Sequence, residues 1–375
     1  MENIKRELST RISGKIFQGK AIVIIGARQV GKTTLLKHLE QPADNILWMN
    51  ADEMEIQMLM QNISVEKFRS LIGKHSVVII DEAQRIQNIG LKAKLITDNF
   101  PDVQLFLTGS SSLDLANKVN EPLTGRKWEY TLFPLSFAEL AAHHGMLQEY
   151  KKLPIRLVFG CYPEVVCNPG NEKEILNSLA DSYLYKDILA WDRIKRPDKL
   201  VKLLQALSYQ IGSEVSTNEL SRTVELDRTT VENYINLLEQ AQVIFRLPSY
   251  SRNLRSELKA SRKIYFHDNG IRNAVIGNFS DIDMRTDVGI LWENWMISEL
   301  VKRKNYRGTF ARSYFWRTVQ QQEIDYLEET DGHLTAYEFK WNNSKLPRLS
   351  KTFSNSYPDH EYRVVNRENY MEILL

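Results

Sequence analysis

One stretch of this sequence constrains the fold more than any other, because it dictates both a local structure and a ligand. An apolar segment, residues 21–25, runs directly into Gly-Ala-Arg-Gln-Val-Gly-Lys-Thr-Thr at residues 26–34, and a helical pattern of leucines follows. A strand, the string G-x-x-x-x-G-K-T and a helix in this order are typical of the phosphate-binding P-loop. The glycines let the backbone wrap around a phosphate chain, and the helix N-terminus adds partial positive charge. A glycine-rich turn without a ligand is the alternative, and the flanking strand and helix disfavour it.

The whole string is predicted to bind nucleotide. Lys32 reaches the β and γ phosphates, and the hydroxyl of Thr33 can hold Mg²⁺. ATP and Mg²⁺ are therefore the predicted cofactors. The predicted nucleotide-binding residues are Gly26, Ala27, Arg28, Gln29, Val30, Gly31, Lys32, Thr33 and Thr34.

A second apolar run, residues 77–80, ends in two carboxylates, Asp81 and Glu82. Such runs are typical of parallel strands that are covered on both faces, and ligands bind at the carboxyl ends of these strands. We expect Asp81 to lie near the Mg²⁺ of a bound nucleotide and Glu82 to orient and deprotonate an attacking water. The alternative is an ordinary strand end with solvated charges.

Small hydroxyl side chains follow a further strand, residues 103–107. Thr108 or Ser110 is predicted to sense the γ-phosphate by hydrogen bonding, although Ser and Thr also favour strand ends and helix caps for structural reasons. The predicted strands at residues 21–25, 46–50, 77–81, 103–107 and 128–133 alternate with helical patterns. This alternation predicts a doubly wound α/β P-loop domain with a parallel sheet over residues 1–134.

Five short strings together resemble a broad family of bacterial and archaeal AAA-type, STAND-related ATPases. They are GARQVGKTT, VVIIDEAQ, FLTGSS, LTGR and FPLSFAEL. The resemblance covers essentially the whole chain. It implies a helical lid at 135–207, a winged helix-turn-helix at 208–280 and, at 281–375, a C-terminal domain long catalogued as of unknown function. It also implies that Arg126 acts as an arginine finger, in cis or in trans, and that the Gly160 to Pro163 element lies close to the nucleotide. A surface role is the alternative for Arg126.

The winged-helix segment gives opposing indications about DNA. The predicted outer face of its second helix is neutral to acidic, whereas a recognition helix should lean basic, so an oligomerising use and direct DNA reading both stay open. The following loop is basic, which predicts a phosphate-tracking wing or else a solvated loop. The helix face carries Arg228, Thr229, Glu232, Asn233, Asn236 and Glu239, and the loop carries Arg252, Arg255, Lys259, Arg262 and Lys263.

The C-terminal segment predicts an α+β domain whose polar residues resemble the PD-(D/E)xK, restriction-endonuclease-like layout. Asp325 precedes Glu338 on the next predicted strand, and the strand period sends Glu338 and Lys340 to one face. The resemblance implies that Asp325 and Glu338 ligate Mg²⁺, that Lys340 steadies the attacking water or the phosphate, and that Glu293 adds a helical carboxylate. A nuclease fold kept only for binding, or ordinary salt bridges, are the alternatives.

Charge distribution favours DNA as a partner, although the formal net charge is only +2. Basic residues without an intervening acid occur beside aromatic residues that could stack on bases. The basic residues are Lys302, Arg303, Lys304, Arg307, Arg312 and Arg317, followed by Lys340, Lys345, Arg348 and Lys351; the aromatic residues are Tyr306, Phe310, Tyr314, Phe315 and Trp316. No signal peptide or membrane span is visible, and the two cysteines do not make a disulfide framework, so a cytoplasmic protein is expected.

These observations predict an ATP-hydrolysing, AAA-type enzyme that binds and remodels or translocates duplex or branched DNA. The C-terminal domain would grip the DNA or cut it. A homo-oligomer, with a hexameric ring as one form, would let Arg126 act in trans. Two alternatives stay open: a regulatory switch controlled by its nucleotide, and a Mg²⁺-dependent DNA nuclease licensed by ATP.

Overall fold

The structure is a computed structural model that describes residues 4–39, 45–109, 117–120, 122–181, 196–251, 262–342 and 347–375. The chain falls into two compact units. The P-loop unit consists of Asn3–Pro134 and the short segment Gln240–Gln242, and the C-terminal unit consists of Leu135–Glu239 and Val243–Leu375. The predicted boundaries at residues 207/208 and 280/281 stay predictions, because the segments on both sides of them lie in the same unit.

The P-loop unit is built on a five-stranded parallel sheet with the strand order β2-β3-β4-β1-β5. Strands β1, β3 and β4 are buried along their whole length, as their apolar sequences require for strands covered on both faces. The strands predicted from the sequence are confirmed to within two residues at either end. They are β1 (Ala21–Gly26), β2 (Ile46–Asn50), β3 (Val77–Asp81), β4 (Gln104–Gly109) and β5 (Lys127–Leu132).

Helices connect these strands and cover the sheet with apolar side chains. Phe68 of α4, Ile96 of α5 and Phe100 after it pack in one buried cluster with residues of β1, β3 and β4. The helices are α1 (Glu7–Ser13), α2 (Lys32–Lys37), α3 (Met54–Gln61), α4 (Val65–Ile72), α5 (Ile89–Asn99) and α6 (Asn117–Asn120), with a 3₁₀ turn at Ala83–Arg85.

The first half of the C-terminal unit is helical and ends in a two-stranded antiparallel hairpin. Ser216 and Asp227 accept hydrogen bonds from backbone amides at the starts of α12 and α13, which fixes the two helix N-termini. The helices are α7 (Phe137–His144), α8 (Met146–Phe159), α9 (Pro163–Cys167), α10 (Glu172–Asp181), α11 (Pro197–Tyr209), α12 (Thr217–Val224) and α13 (Arg228–Gln240); the hairpin pairs β6 (Ile244–Pro248) with β7 (Arg262–Phe266), and α14 (Asn269–Val275) follows.

The second half of this unit places a long helix against a four-stranded sheet in the order β11-β10-β9-β8. Strands β8, β9 and β10 are antiparallel, and β11 pairs with β10 in parallel. The predicted helical position of Glu293 and the predicted positions of Asp325 and Glu338 on consecutive strands are confirmed, whereas β11 was not predicted. The elements are α15 (Val288–Arg307), β8 (Arg312–Arg317), β9 (Glu323–Thr330), β10 (His333–Phe339), α16 (Lys351–Ser356), β11 (His360–Val365) and α17 (Tyr370–Leu374).

Two expectations about the chain as a whole can be compared with the structure. Both cysteines are free thiols, Cys161 buried and Cys167 partly buried. Within the described ranges, none of the helices combines the length and the apolar character needed to cross a membrane. Cytoplasmic localisation itself stays a prediction.

Candidate functional site

The sheet order brings Lys32, Glu82 and Thr108, three of the predicted catalytic residues, to one edge of the sheet. Strand β4 lies between β1 and β3, with Ile24 opposite Thr108 and Ile80 opposite Leu107. Because parallel strands end at the same edge, Thr108 lies between the P-loop that follows β1 and the carboxylate that ends β3.

Asp81 joins two hydroxyl side chains at this edge. The Thr33 hydroxyl donates a 2.8 Å hydrogen bond to Asp81 Oδ2, and the Thr108 hydroxyl donates to Asp81 Oδ1. Hydroxyl and carboxylate oxygens are the ligands that Mg²⁺ prefers. Thr33 and Asp81 therefore fit the predicted magnesium site, with water and phosphate oxygens as the ligands still to be supplied.

Glu82 directly follows this carboxylate and has a left-handed backbone, with φ of +52°. Its amide donates to the Thr108 hydroxyl at 3.2 Å, which connects it to the same network. The Gln84 side chain donates to Glu82 Oε2 at 2.6 Å. A left-handed conformation is uncommon for a residue with a side chain and is often found at functional sites. Gln84, which sequence reasoning did not single out, holds the predicted base.

The P-loop has the geometry that its two glycines require. A Cβ atom on Gly26 would lie 2.4 Å from the carbonyl oxygen of Leu132, and Gly31 has φ of +96°, so neither position accepts a larger residue without strain. Helix α2 begins at Lys32. The Lys32 ammonium is buried and donates to the carbonyls of Gly26 and Ala27, at 2.9 Å each. It therefore lies over the loop that is expected to hold phosphate.

Two further residues support the loop and were missed in the sequence. The buried Arg6 side chain donates to the carbonyls of Val30 at 2.7 Å and Phe133 at 2.6 Å. Gln242, which clusters with the P-loop unit, accepts a 3.1 Å hydrogen bond from the amide of Ala27. Their partners lie at least 24 positions away in the chain, so no local pattern marks them.

Arg126 does not lie beside its own P-loop. Its carbonyl accepts a bond from the amide of Ala21 at the amino end of β1, and its side chain pairs with Asp98 at 2.6 Å. The P-loop follows the other end of β1, about 16 Å away for a strand of six residues. In this arrangement Arg126 does not reach the P-loop of its own chain, and its role as an arginine finger, in cis or in trans, stays a prediction. The other predicted phosphate sensor, Ser110, lies outside the described residues.

The Gly160 to Pro163 element lies in the C-terminal unit, and its contacts there explain its glycine. The amide of Cys161 donates to Asp268 Oδ2 at 2.7 Å. A Cβ atom on Gly160 would lie 2.0 Å from Asp268 Oδ1. The element thus packs tightly on the N-terminus of α14. The expectation that it contacts the nucleotide stays a prediction.

The predicted C-terminal residues also come together. The Lys340 ammonium lies 3.0 Å from Glu338 Oε1 and 3.9 Å from Asp325 Oδ2, and Asp325 accepts a 2.8 Å bond from the amide of Phe339. Burial raises the pKa of Glu338 to about 7, and the charge of Asp325 adds to this rise. A cavity of about 290 Å³ opens beside Glu338 and is also lined by Arg348 and Tyr362.

Glu293, the predicted helical carboxylate, lies in the same cluster with partners that were not predicted. Tyr265 donates to Glu293 Oε1 at 2.7 Å, and the ammonium of Lys263 lies 3.6 Å from the same oxygen. Lys263 also donates to Glu323. Burial raises the pKa of Glu293 to about 7, with the charge of Asp325 adding to it. We call Glu293, Glu323, Asp325 and Glu338 the carboxylate cluster.

The carboxylate cluster does not fit a bound metal ion as it stands. Across the described ranges, no three Asp, Glu, His or Cys side chains are arranged to hold one. The ammonium groups of Lys263 and Lys340 lie against the carboxylates instead. The assignment of Glu293, Asp325 and Glu338 as metal ligands stays a prediction, and no metal-dependent step is derived for them.

Three basic residues that were predicted to face DNA form ion pairs within the protein, and one of them is buried. Lys302 is buried and pairs with Glu299 at 2.7 Å, Arg303 pairs with Glu328 at 3.1 Å, and Arg317 pairs with Glu323 at 3.5 Å. These acids come from other turns and strands, which is why a count along the sequence missed them. Of the accompanying aromatic residues, only Phe310 is fully exposed; Tyr306, Tyr314, Phe315 and Trp316 are buried.

The predicted wing needs a similar correction. Lys263 is 1% exposed and belongs to the carboxylate cluster, so it cannot track phosphates as placed. Arg262 pairs with Glu232 of α13 at 2.6 Å. Arg246 of β6 pairs with Glu239 at 3.1 Å. Hairpin arginines thus neutralise the acidic side of α13. Arg252, Arg255, Lys259 and Lys345 lie outside the described residues.

A groove of about 520 Å³ remains between α12 and α13. Its lining is polar and carries one exposed cation, Arg228, which starts α13. The lining residues are Thr217, Asn218, Arg228, Thr229, Glu232 and Asn233.

Comparison with known families divides the chain into three matched segments. Residues 18–141 match a family described as "AAA domain". Residues 150–282 and 288–373 match two families described as domains of unknown function, DUF8612 and DUF4143. The predicted order, an AAA-type P-loop ATPase domain followed by a C-terminal domain of unknown function, is therefore confirmed.

Several known proteins match most of this chain at low identity. An uncharacterized protein of Mycobacterium tuberculosis is 23% identical over 363 residues, which are 95% of this chain and 77% of that protein. One from Haemophilus influenzae is 28% identical over 278 residues, 68% of this chain and 69% of that protein. A solved structure, the Walker-type ATPase of Pyrococcus abyssi, covers 73% of this chain and 96% of its own at 14% identity with a TM-score of 0.51, and it supports the fold alone.

Proposed function

We propose that this chain hydrolyses ATP and uses the energy to remodel or translocate DNA. That it carries an AAA-type ATPase domain follows from its family match and its parallel sheet. The observation that carries hydrolysis, rather than binding alone, is the continuous hydrogen-bonded connection from Thr33 through Asp81 and Thr108 to Glu82.

Each residue of this connection has a role in the proposed reaction. Lys32 would exchange its loop carbonyls for the phosphates, and Thr33 and Asp81 would hold Mg²⁺, which would offset phosphate charge. Glu82 orients the attacking water and takes its proton, while Gln84 holds the Glu82 carboxylate. Thr108 touches both carboxylate-bearing residues and is therefore suited to report the state of the γ-phosphate.

Support for DNA as the partner comes from the groove between α12 and α13. It is polar, it is open, and it carries Arg228 where a backbone phosphate could bind. The fully exposed Phe310 offers a surface for base stacking. We infer that helices α11 to α13 and the β6–β7 hairpin act as a winged helix-turn-helix that contacts DNA mainly through phosphates.

ATP turnover tests both parts of the proposal. It is measured with no DNA and with linear, single-stranded and branched DNA, while the particle mass is recorded in the same buffer. We expect DNA to raise turnover and Glu82→Gln to lower it at least 100-fold while nucleotide still binds. Glu55→Gln, an exposed carboxylate change on α3, is the matched control. Equal ATP turnover with and without every DNA would contradict the proposed role of DNA. Full activity of Glu82→Gln would contradict the assignment of Glu82 as the base.

Arg126 is proposed to act on the nucleotide of a neighbouring copy. Its side chain is 44% exposed and lies at the sheet edge opposite its own P-loop. A guanidinium supplied in trans stabilises the charge that develops during phosphoryl transfer. Mixing Arg126→Ala chains with Glu82→Gln chains should restore part of the turnover that neither has alone, because some sites then combine an intact base with an intact arginine. No restoration in a particle shown to be an oligomer would contradict this role.

A nucleotide-controlled switch is the second candidate, and one observation favours it. Gln242, in the segment that joins α13 to β6, accepts a bond from the P-loop amide of Ala27. A change in the loop on nucleotide binding would therefore reach the α13–β6 connection directly. The switch predicts very slow turnover, tightly retained nucleotide and an assembly state that changes with ATP. Fast DNA-stimulated turnover would contradict it.

A further inference from the structure

The carboxylate cluster already contains a cation of its own. Lys263, on β7, is 1% exposed, and its ammonium lies 3.6 Å from Glu293 Oε1 and donates to Glu323 Oε1. Its ammonium also lies 5.4 Å from the centre of the Phe315 ring. Burial opposes the charge on Lys263, but Glu293 and Glu323 hold its pKa above the ordinary value. A charged lysine is thus built into the interior of the cluster.

Basic side chains of the protein neutralise most of the negative charge of the carboxylate cluster, which a divalent ion would otherwise neutralise. Four carboxylates meet there, from α15, β9 and β10. Lys263 lies against Glu293 and Glu323, Lys340 against Glu338 and Asp325, and Arg317 lies 3.5 Å from Glu323. Buried carboxylates need such partners, because an unpaired buried charge is costly.

A lysine ammonium and a divalent cation make competing demands on the same oxygens. Mg²⁺ needs near-octahedral oxygens at about 2.1 Å, which requires the carboxylates to turn toward one point. Tyr265 and Lys263 instead share Glu293 Oε1, and Lys263 draws Glu323 toward itself. Accordingly, no three acidic side chains of the described residues converge on a metal position.

We propose that Lys263 is an internal cation that closes the carboxylate cluster to divalent metal ions: its ammonium occupies the carboxylate oxygens that a metal ion would need. The proposal concerns the C-terminal unit alone and does not depend on ATP hydrolysis or on DNA binding.

Manganese binding to the full-length protein tests this. Free Mn²⁺ is measured by electron paramagnetic resonance in nucleotide-free buffer, for the wild type, Lys263→Met, the double variant Lys263→Met/Asp325→Asn, and Asp325→Asn. We expect Lys263→Met to gain one Mn²⁺ site per chain. This site should bind Mn²⁺ at least tenfold more tightly than any Asp325-dependent site of the wild type. The double variant should lack this site. Arg262→Met, a neighbouring change on the same strand that leaves Lys263 in place, should behave as the wild type.

Two outcomes would overturn the proposal. One is an Asp325-dependent site in the wild type that binds Mn²⁺ as tightly as in Lys263→Met, because the ammonium would then present no barrier. The other is no gain of Mn²⁺ binding in a Lys263→Met protein whose circular dichroism matches the wild type. If Lys263→Met does not fold, Lys263→Gln keeps a hydrogen-bond donor for Glu323, and the same two outcomes decide. ATP turnover measured in parallel separates these results from a failure of the proposed ATPase.

Discussion

In the P-loop unit a lysine lies against backbone carbonyls, whereas in the C-terminal unit two lysines lie against the carboxylates themselves. Lys32 donates to the carbonyls of Gly26 and Ala27, and Asp81 is held by hydroxyl groups. Lys263 and Lys340 instead pair with Glu323 and Glu338. A lysine on neutral oxygens can be transferred to an incoming phosphate at low cost, but a buried ion pair resists separation. The first site is arranged to receive charge, and the second is already neutralised.

Replacing the lysine of each site gives the largest expected contrast. Lys32→Ala should lower ATP turnover at least 100-fold, because it removes the cation that meets the β and γ phosphates. Lys340→Ala should leave turnover within about twofold, since its partners belong to the carboxylate cluster. A coupled phosphate-release assay measures both, and Lys37→Ala, an exposed lysine on the same helix as Lys32, is the control. Comparable losses of ATP turnover in Lys32→Ala and Lys340→Ala would contradict the proposed difference between the two sites.

The next largest effect concerns a lysine that the sequence assigned to a DNA surface. Lys302→Met should lower the unfolding free energy by about 3 kcal/mol, because Glu299 would be left buried without its cation. The effect on DNA affinity should be small, since the Lys302 side chain is 2% exposed. Urea denaturation and a DNA titration of the same sample measure the two quantities. If Lys302→Met were stable but bound DNA more weakly, Lys302 would have to be assigned to the DNA-binding surface after all.

The carboxylate cluster also predicts a pH dependence. Burial raises the pKa of Glu293 and of Glu338 from 4.5 to about 7, so folding favours their protonated forms. Their contribution to stability is fully present below pH 4.5 and is lost as the pH rises through about 7. By proton linkage the loss should be at most roughly 3 kcal/mol for each of the two groups. Urea denaturation across this range measures it, and Glu293→Gln/Glu338→Gln should flatten the profile. An unchanged slope in that double variant would contradict the assignment.

The smallest expected effect is at the groove between α12 and α13. Arg228→Gln should weaken DNA binding a few-fold at moderate salt and reduce the slope of log affinity against log salt by about one, because one phosphate contact is lost. Fluorescence anisotropy at several salt concentrations measures this. Arg222→Gln, an exposed arginine on α12 outside the groove lining, is the control. Equal effects of the two changes would show only a general charge effect.

The geometry of the P-loop and of the strand ends beside it could be predicted closely, because its parts follow from local patterns. The P-loop string is contiguous, and the rule that parallel strands end at one edge brings Asp81 and Thr108 to it. Arg6 and Gln242 could not be predicted, since they reach the loop from 24 and 215 positions away. No periodicity or motif encodes a contact of that kind.

The C-terminal unit shows a different limit of sequence reasoning. Strand period and spacing predicted that Asp325, Glu338 and Lys340 lie close together, and they do. The prediction of a basic surface, however, considered only the order of charged residues along the chain. Lys263 lies in a basic segment of the sequence, yet folding places it near three acids, Glu293, Glu323 and Asp325. Lys302 likewise meets Glu299 one helical turn away. Whether a basic residue is available to a partner depends on its spatial neighbours, which only the fold supplies.

The two hydrogen bonds that Arg6 donates matter for the choice of N-terminal boundary when this protein is expressed. Its guanidinium joins the carbonyl that ends the variable part of the P-loop to the carbonyl of Phe133, near the far boundary of the unit. A version trimmed by its first six residues would keep every recognisable nucleotide motif and would pass a motif survey as intact. Its P-loop would nevertheless lack the two hydrogen bonds that Arg6 donates. A weak nucleotide affinity measured on the trimmed version would therefore result from the missing residues and would not be a property of the full chain.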